Sequence, residues 1–257
     1  MKDWSNTCAI VTAGAAGIGL EIARALRGAG ARLAICDVDE AALAAARAAL
    51  PGVFAAPCDV ADPDQASRFV DEAARAMGGL DILVNNAGIA GPAAPLEEIA
   101  VEDWRRTMRV NVDGQFFIAR AAIPHLKKRG GGAIVCMASV AGKYAFPLRT
   151  PYAASKAAVI SLARSLSVEL GPHRIRVNAI APGVVAGDRI RRVFTDRAKT
   201  RGISYDEMQA IALRAVSLKT MVEPQEIADL VMYLCGPSGR AITGQVMSIC
   251  GGLEYTE

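Results

Sequence analysis

Short apolar runs rich in Val, Ile, Ala and Leu alternate with Ala-rich stretches of helical period from Cys8 almost to the last residues, and few folds tolerate that rhythm. A strand that is apolar on both faces must be covered on both, and a helix between each strand and the next supplies the cover; the outcome is a parallel sheet with crossover helices. Strands are predicted at residues 8–11, 32–36, 53–56, 82–84, 133–137, 176–180 and 246–249, with helices at 19–27, 40–50, 63–77, 101–123, 153–170 and 224–234. Pro51, Gly78, Gly130 and Gly171 stand at helix ends, where breakers belong. The expected class is α/β, with seven strands in one doubly wound sheet. From 183 to 221 the rhythm fails: two charged amphipathic stretches, 189–201 and 205–215, replace a strand and predict a helical lid over about 184–221.

The chain has 257 residues, 52% of them hydrophobic, and no Pro-, Ser- or Gly-rich linker divides it, so one catalytic domain over 1–257 is expected. Net charge is only +3 and no run of five like charges occurs, which gives nucleic acid nothing to bind. The first residues lack the basic, apolar and small-residue order of a secretory signal, and no apolar segment approaches the ~20 residues of a membrane helix. A soluble, cytoplasmic protein with no membrane partner follows as an expectation. Six cysteines sit mostly in apolar runs without C-x-x-C spacing, which reads as buried free thiols, and two histidines leave a metal site almost nothing to draw on.

Between the first strand and first helix lies Thr12-Ala13-Gly14-Ala15-Ala16-Gly17-Ile18-Gly19. Glycines there let the backbone turn tightly and approach a pyrophosphate, whose charge rests on the unpaired amides of the helix N-terminus. Gly14, Gly17, Ile18 and Gly19 are therefore candidate dinucleotide contacts in a Rossmann-type sheet. The second strand runs out at Asp37, twenty residues after Gly17. A carboxylate there accepts hydrogen bonds from the adenosine ribose hydroxyls and repels the extra phosphate of NADP, so NAD is the expected cofactor. Asp37 also stands where a helix N-cap region begins, and a turn-forming Asp remains the plain alternative.

With these residues in register, the chain resembles the compact single-domain branch of the short-chain dehydrogenases/reductases. The landmarks run in order: Cys58-Asp59-Val60, Asp81-Ile82-Leu83-Val84-Asn85-Asn86-Ala87-Gly88, Asn111 in Arg109-Val110-Asn111-Val112, Ser139 in Ala138-Ser139-Val140-Ala141-Gly142, Tyr152-Ala153-Ala154-Ser155-Lys156, and Pro182-Gly183. The resemblance implies Asp59 and Val60 around the adenine and Asn86, Ala87 and Gly88 beneath the cofactor. It further implies Pro182, Gly183 and the backbone near Val185 at the nicotinamide, Asn111 holding a water that links Lys156 to solvent, and a homotetramer.

Tyr152 and Lys156, four residues apart on a helix, project from one face. A free tyrosine ionises near pH ~10, and a fixed positive charge beside it favours the phenolate. Tyr152 then serves as acid/base: it takes the hydroxyl proton of an alcohol while hydride leaves the same carbon for the nicotinamide. Ser139 orients the same oxygen, and Lys156 also binds the nicotinamide ribose. Ser155 reads as a small helix-packing residue.

Three positions depart from the family pattern: Ala13 replaces its first glycine, Gly187 stands where Thr is frequent, and Cys250 where Asp is frequent. The turn must then accept a methyl group, a hydroxyl contact to the carboxamide is missing, and Cys250 is structural. Arg149, Asp188, Arg189, Arg191 and Arg192 are candidates for the substrate side, with Arg149 and Arg189 foremost. Inward-facing arginines imply a sugar, polyol or hydroxy acid; arginines turned outward leave that open. The rival activities are an NADPH-dependent 3-oxoacyl-carrier-protein reductase and, outside catalysis, an NAD-binding regulatory or structural protein.

Overall fold

The computed structural model describes residues 4–253, apart from the side chains of residues 189, 196, 197 and 200. Seven strands are present: β1 (Cys8–Thr12), β2 (Arg32–Asp37), β3 (Phe54–Pro57), β4 (Ile82–Asn85), β5 (Gly132–Met137), β6 (Ile175–Pro182) and β7 (Val246–Ile249). All pair in parallel, in the order β3-β2-β1-β4-β5-β6-β7. The order reverses between β1 and β4, and the crevice beyond the carboxyl ends at that reversal is where such sheets bind ligands.

Two cores sandwich the sheet. On one face α1 (Gly17–Gly28), α2 (Glu40–Ala49) and α9 (Pro224–Cys235) bury Ile22, Leu26, Leu43, Ile227 and Val231 against Val11, Ile35 and Val84. On the other, α3 (Pro63–Met77), α5 (Gly114–Arg129) and α6 (Thr150–Leu170) bury Phe69, Val70, Ile118, Leu126 and Val159 against Ile10, Leu83 and Ile134. Each of these apolar side chains contributes roughly 1.5–3 kcal/mol relative to exposure, which holds the strand ends in fixed relation.

The helix expected at 101–123 is two helices and longer. α4 (Val101–Met108) passes into a π-helical turn, Arg109–Asp113, and α5 continues through Pro124 to a left-handed Gly130. Periodicity over the whole stretch hides a single inserted residue, and Pro124 reads as a stop although Leu126, buried one turn later, keeps the helix on the sheet.

The lid is helical, as expected: α7 (Asp188–Arg201) and α8 (Tyr205–Leu213) pack on each other through Phe194, Ala198 and Met208. Leu213 and Val216 anchor it to Val140, Ala181 and Leu253, beside the ends of β5 and β6. Among the described residues no helix is long and apolar enough to cross a membrane.

Candidate active site

The turn after β1 is built around a strained residue. Ala13 has φ +47, a left-handed conformation that costs an L-residue about 1–2 kcal/mol. Its carbonyl accepts the Asn86 Nδ2 amide at 3.2 Å and lies so near Gly19 that a Cβ there would fall 2.0 Å from it. The methyl group is thus accommodated, at the expense of local strain. Thr12 ties the same turn to β4: its Oγ1 accepts Asn86 N at 2.9 Å and Ala87 N at 3.0 Å.

This turn fits a dinucleotide. α2 and α3 begin with Asp39 and Asp62 capping their first amides, but α1 begins at Ala16 with no side-chain cap and no acidic residue in its first turn. Gly17, at φ +53, has nothing within 4 Å of where a Cβ would sit, so the helix end is open to an anion. Asp37 faces the turn: Oδ2 accepts Ala15 N at 3.4 Å, and Oδ1 accepts Val38 N at 2.8 Å and Asp39 N at 3.2 Å. Asp59 is exposed at the next strand end with Oδ1 on Ala61 N, and Val60 is buried against Gly114. Ile18 lines the start of α1 half-buried.

The other end of the crevice gathers Asn111, Ser139, Tyr152 and Lys156. Lys156 is 3% exposed, and its Nζ donates to Met137 O at 2.8 Å and lies 5.7 Å from the Tyr152 ring centre. Ser139 is buried; its Oγ accepts Ala141 N at 3.2 Å and caps a 3₁₀ turn, Val140–Gly142. That turn presses on α6 so closely that a Cβ on Gly142 would lie 2.6 Å from the Lys156 carbonyl carbon. Asn111 occupies the π turn, with Oδ1 accepting Ile89 N at 2.7 Å and Nδ2 donating to Ile89 O at 2.9 Å. Gly88 separates Lys156 from Asn111: a Cβ there would meet Nζ at 3.1 Å and Oδ1 at 3.2 Å. Pro182 ends β6, Gly183 N donates to Ile249 O at 3.0 Å, and Val185 bridges to Val222 at the same rim.

A family described as enoyl-(acyl carrier protein) reductase matches residues 13–254. The 7α-hydroxysteroid dehydrogenase of Escherichia coli strain K12 is 34% identical over 254 residues, 95% of this chain and 93% of its own. Among solved structures, NAD+-bound xylitol dehydrogenase matches with a TM-score of 0.91 at 30% identity, over 98% of this chain and 100% of the other. Actinorhodin polyketide ketoreductase with NADPH matches with a TM-score of 0.93 at 32% identity, over 100% of both chains. The chain belongs to the short-chain dehydrogenases/reductases. It is an NAD(P)-dependent oxidoreductase of alcohol and ketone pairs, and the two solved relatives carry different nicotinamides.

In this short-chain dehydrogenase/reductase some residues exceed their sequence reading. Ser155 does more than pack: its Oγ accepts Asn111 Nδ2 at 2.9 Å and donates to Tyr152 O at 2.7 Å, tying the π turn to the tyrosine's own helix. No local pattern marks that link, because its partner lies 44 residues away. Gly187, the departure from Thr, has φ +138, a conformation glycine alone adopts readily. All six cysteines are free, five of them buried, and Cys250 packs its Cβ against Gly183. Burial pushes the Cys136 thiol up to about 12, only partly opposed by the charge of Lys156. The hydrogen bond that Cys36 donates to Cys58 raises Cys36 well above an ordinary thiol, and burial adds to it.

On the substrate side, Arg191 and Arg192 are exposed on α7, as is Asp188. The Arg189 side chain lies outside the described residues. Arg149 is half-buried at the foot of α6, with Nη2 donating to Ala90 O at 2.8 Å.

Proposed function

We propose that this enzyme interconverts a polar secondary alcohol and its ketone or lactone with NAD, using Tyr152 as acid/base. The carrying observation is the buried Lys156 ammonium 5.7 Å from the centre of the Tyr152 ring, at the carboxyl end of the sheet. NAD supplies the hydride acceptor at its nicotinamide ring. Lys156 supplies positive charge where phenolate charge develops as Tyr152 Oη takes the substrate's hydroxyl proton. Ser139 hydrogen-bonds the same substrate oxygen, and Asn111 leads the proton onward through water beside Lys156. Lys156 and Tyr152 also hold the nicotinamide ribose, with Pro182, Gly183 and Val185 lining the carboxamide. The α1 amides with Gly14, Gly17, Ile18 and Gly19 hold the pyrophosphate, Asp37 the adenosine ribose, Asp59 and Val60 the adenine, and Asn86, Ala87 and Gly88 the floor between.

Asp37 supports NAD over NADP, because its carboxylate stands at the turn that a 2′-phosphate would approach. Exposed Phe116 on α5 and Val168 on α6 support a homotetramer through these helices, which sedimentation tests. Six free thiols suit a reducing compartment, and our reading is cytoplasmic.

The test is turnover of Tyr152→Phe with both nicotinamides. Activity is expected to fall by about 10²–10⁴ while NAD binding persists, and the parent enzyme is expected to prefer NAD. Undiminished turnover of the variant removes the mechanism; equal use of NADP removes the role of Asp37.

A further inference from the structure

We infer that Arg149 is the recognition group for a substrate carboxylate, so that the polar alcohol is a hydroxy acid and its product an oxo acid. The inference rests on the oxidoreductase reading above and adds the substrate class. Three separate observations support it.

The first is position. The Arg149 guanidinium carbon lies 5.8 Å from the centre of the Tyr152 ring, nearly the distance of Lys156 Nζ at 5.7 Å, so two cations flank the ring that carries the reacting phenol. Lys156 Nζ is turned inward and donates to Met137 O, 19 residues away along the chain. Arg149 precedes α6, and its Nη2 donates to Ala90 O, on the loop that follows β4. A short acid can therefore place its hydroxyl carbon at Tyr152 and its carboxylate at the guanidinium, whose planar donors match a carboxylate in pairs.

The second is the backbone that aims it. Leu148 has φ +63 and is 55% exposed, so its side chain gains little burial in return for a left-handed conformation. Its carbonyl accepts Ala94 N at 3.0 Å, and the kink turns the next residue, Arg149, back toward Ala90 and Tyr152. Strain kept in such a segment belongs with an oriented functional side chain.

The third is charge. Between Asp113 and Glu169 the sequence contains no Asp or Glu, while Lys143, Arg149 and Lys156 fall in the stretch from Ser139 to the first turns of α6. The first turn of α6 likewise holds no acidic residue, so its N-terminal dipole adds to the positive field. Local positive charge of this kind favours an anion over a neutral polyol.

The experiment uses the intact enzyme with NAD and two probes of equal shape: a short saturated carboxylate, which cannot react, and its primary amide. Thermal unfolding reads binding directly, since a ligand of the folded state raises Tm. The carboxylate is expected to stabilise the parent protein and the amide is not. Arg149→Gln is expected to weaken the carboxylate about 10- to 100-fold and bring the two probes level, and Arg149→Lys to restore part of the difference. In parallel, kcat/KM for a hydroxy acid over its amide is expected to collapse toward unity in Arg149→Gln through KM. Equal shifts by both probes in the parent protein, or a carboxylate shift unchanged in Arg149→Gln, overturns the inference. These outcomes are independent of the Tyr152→Phe result, which tests the chemistry and not the anion.

Discussion

Two alanine substitutions in one helix separate the demands of the cofactor turn from helix propensity. In Gly19→Ala the new Cβ would stand 2.0 Å from Ala13 O, 2.9 Å from Ala13 C and 2.7 Å from Asn86 Nδ2. A carbon and a carbonyl oxygen cannot remain that near, so the Ala13 peptide must retreat, and it can do so only by giving up the 3.2 Å bond from Asn86. Overpacking costs about 1–3 kcal/mol and the lost hydrogen bond about 0.5–1.5 kcal/mol. Alanine's better helix propensity returns roughly 1 kcal/mol. The net loss is about 1–3 kcal/mol, a fall in Tm of roughly 3–10 °C for a chain of this size. Gly28→Ala, at the other end of α1, meets nothing within 4 Å and keeps a negative φ, so it is expected to be neutral or stabilising by up to about 1 kcal/mol. Thermal unfolding of both variants, with NAD affinity by fluorescence titration, reads the comparison. Gly19→Ala is also expected to weaken NAD, because the displaced peptide belongs to the turn proposed to hold the pyrophosphate. If Gly19→Ala unfolds within 1 °C of the parent and binds NAD as well, or if Gly28→Ala is equally damaging, the close-approach argument is wrong.

Ser155→Ala removes the hydroxyl that joins Asn111 to Tyr152 O, and is expected to lower stability by about 1–2 kcal/mol and kcat more than the KM for NAD; a variant with the parent's kcat and pH profile would reduce Ser155 to packing. Alkaline stability follows from Cys136. Its thiol is pushed from an ordinary 9.0 up to about 12 in the folded state, so the unfolded chain loses that proton first as pH rises. Stability is fully present below the unfolded value and declines by roughly 1.4 kcal/mol per pH unit between the two. Cys136→Ala is expected to flatten this decline in urea unfolding between those pH values, and an unchanged slope would refute the assignment.

Much of this molecule was legible one residue at a time. The seven strands lie where the apolar runs are, α3 begins and ends at the expected residues, and Gly78 closes it in the left-handed conformation. The turn from Thr12 to Gly19, Asp37 at a strand end and the Tyr152–Lys156 spacing all stand in the local contexts that their chemistry needs, because these features depend on neighbours within a few positions. The π turn at Asn111 was not legible: one extra residue in a helix leaves the hydrophobic period nearly intact, and the reason for it, the paired bonds to Ile89, is 22 residues away.

The sequence by itself determined the sheet, the crevice and the family, since periodicity, glycine placement and motif order are written locally. Only the tertiary structure decided that Ser155 reaches Asn111, that the lid arginines at 191 and 192 point outward, and that Arg149 turns in beside Tyr152. Those outcomes depend on which distant backbone groups, Ile89, Ala90 and Ala94 above all, meet a side chain or carbonyl once the chain has closed on itself, and no spacing along the chain encodes that meeting.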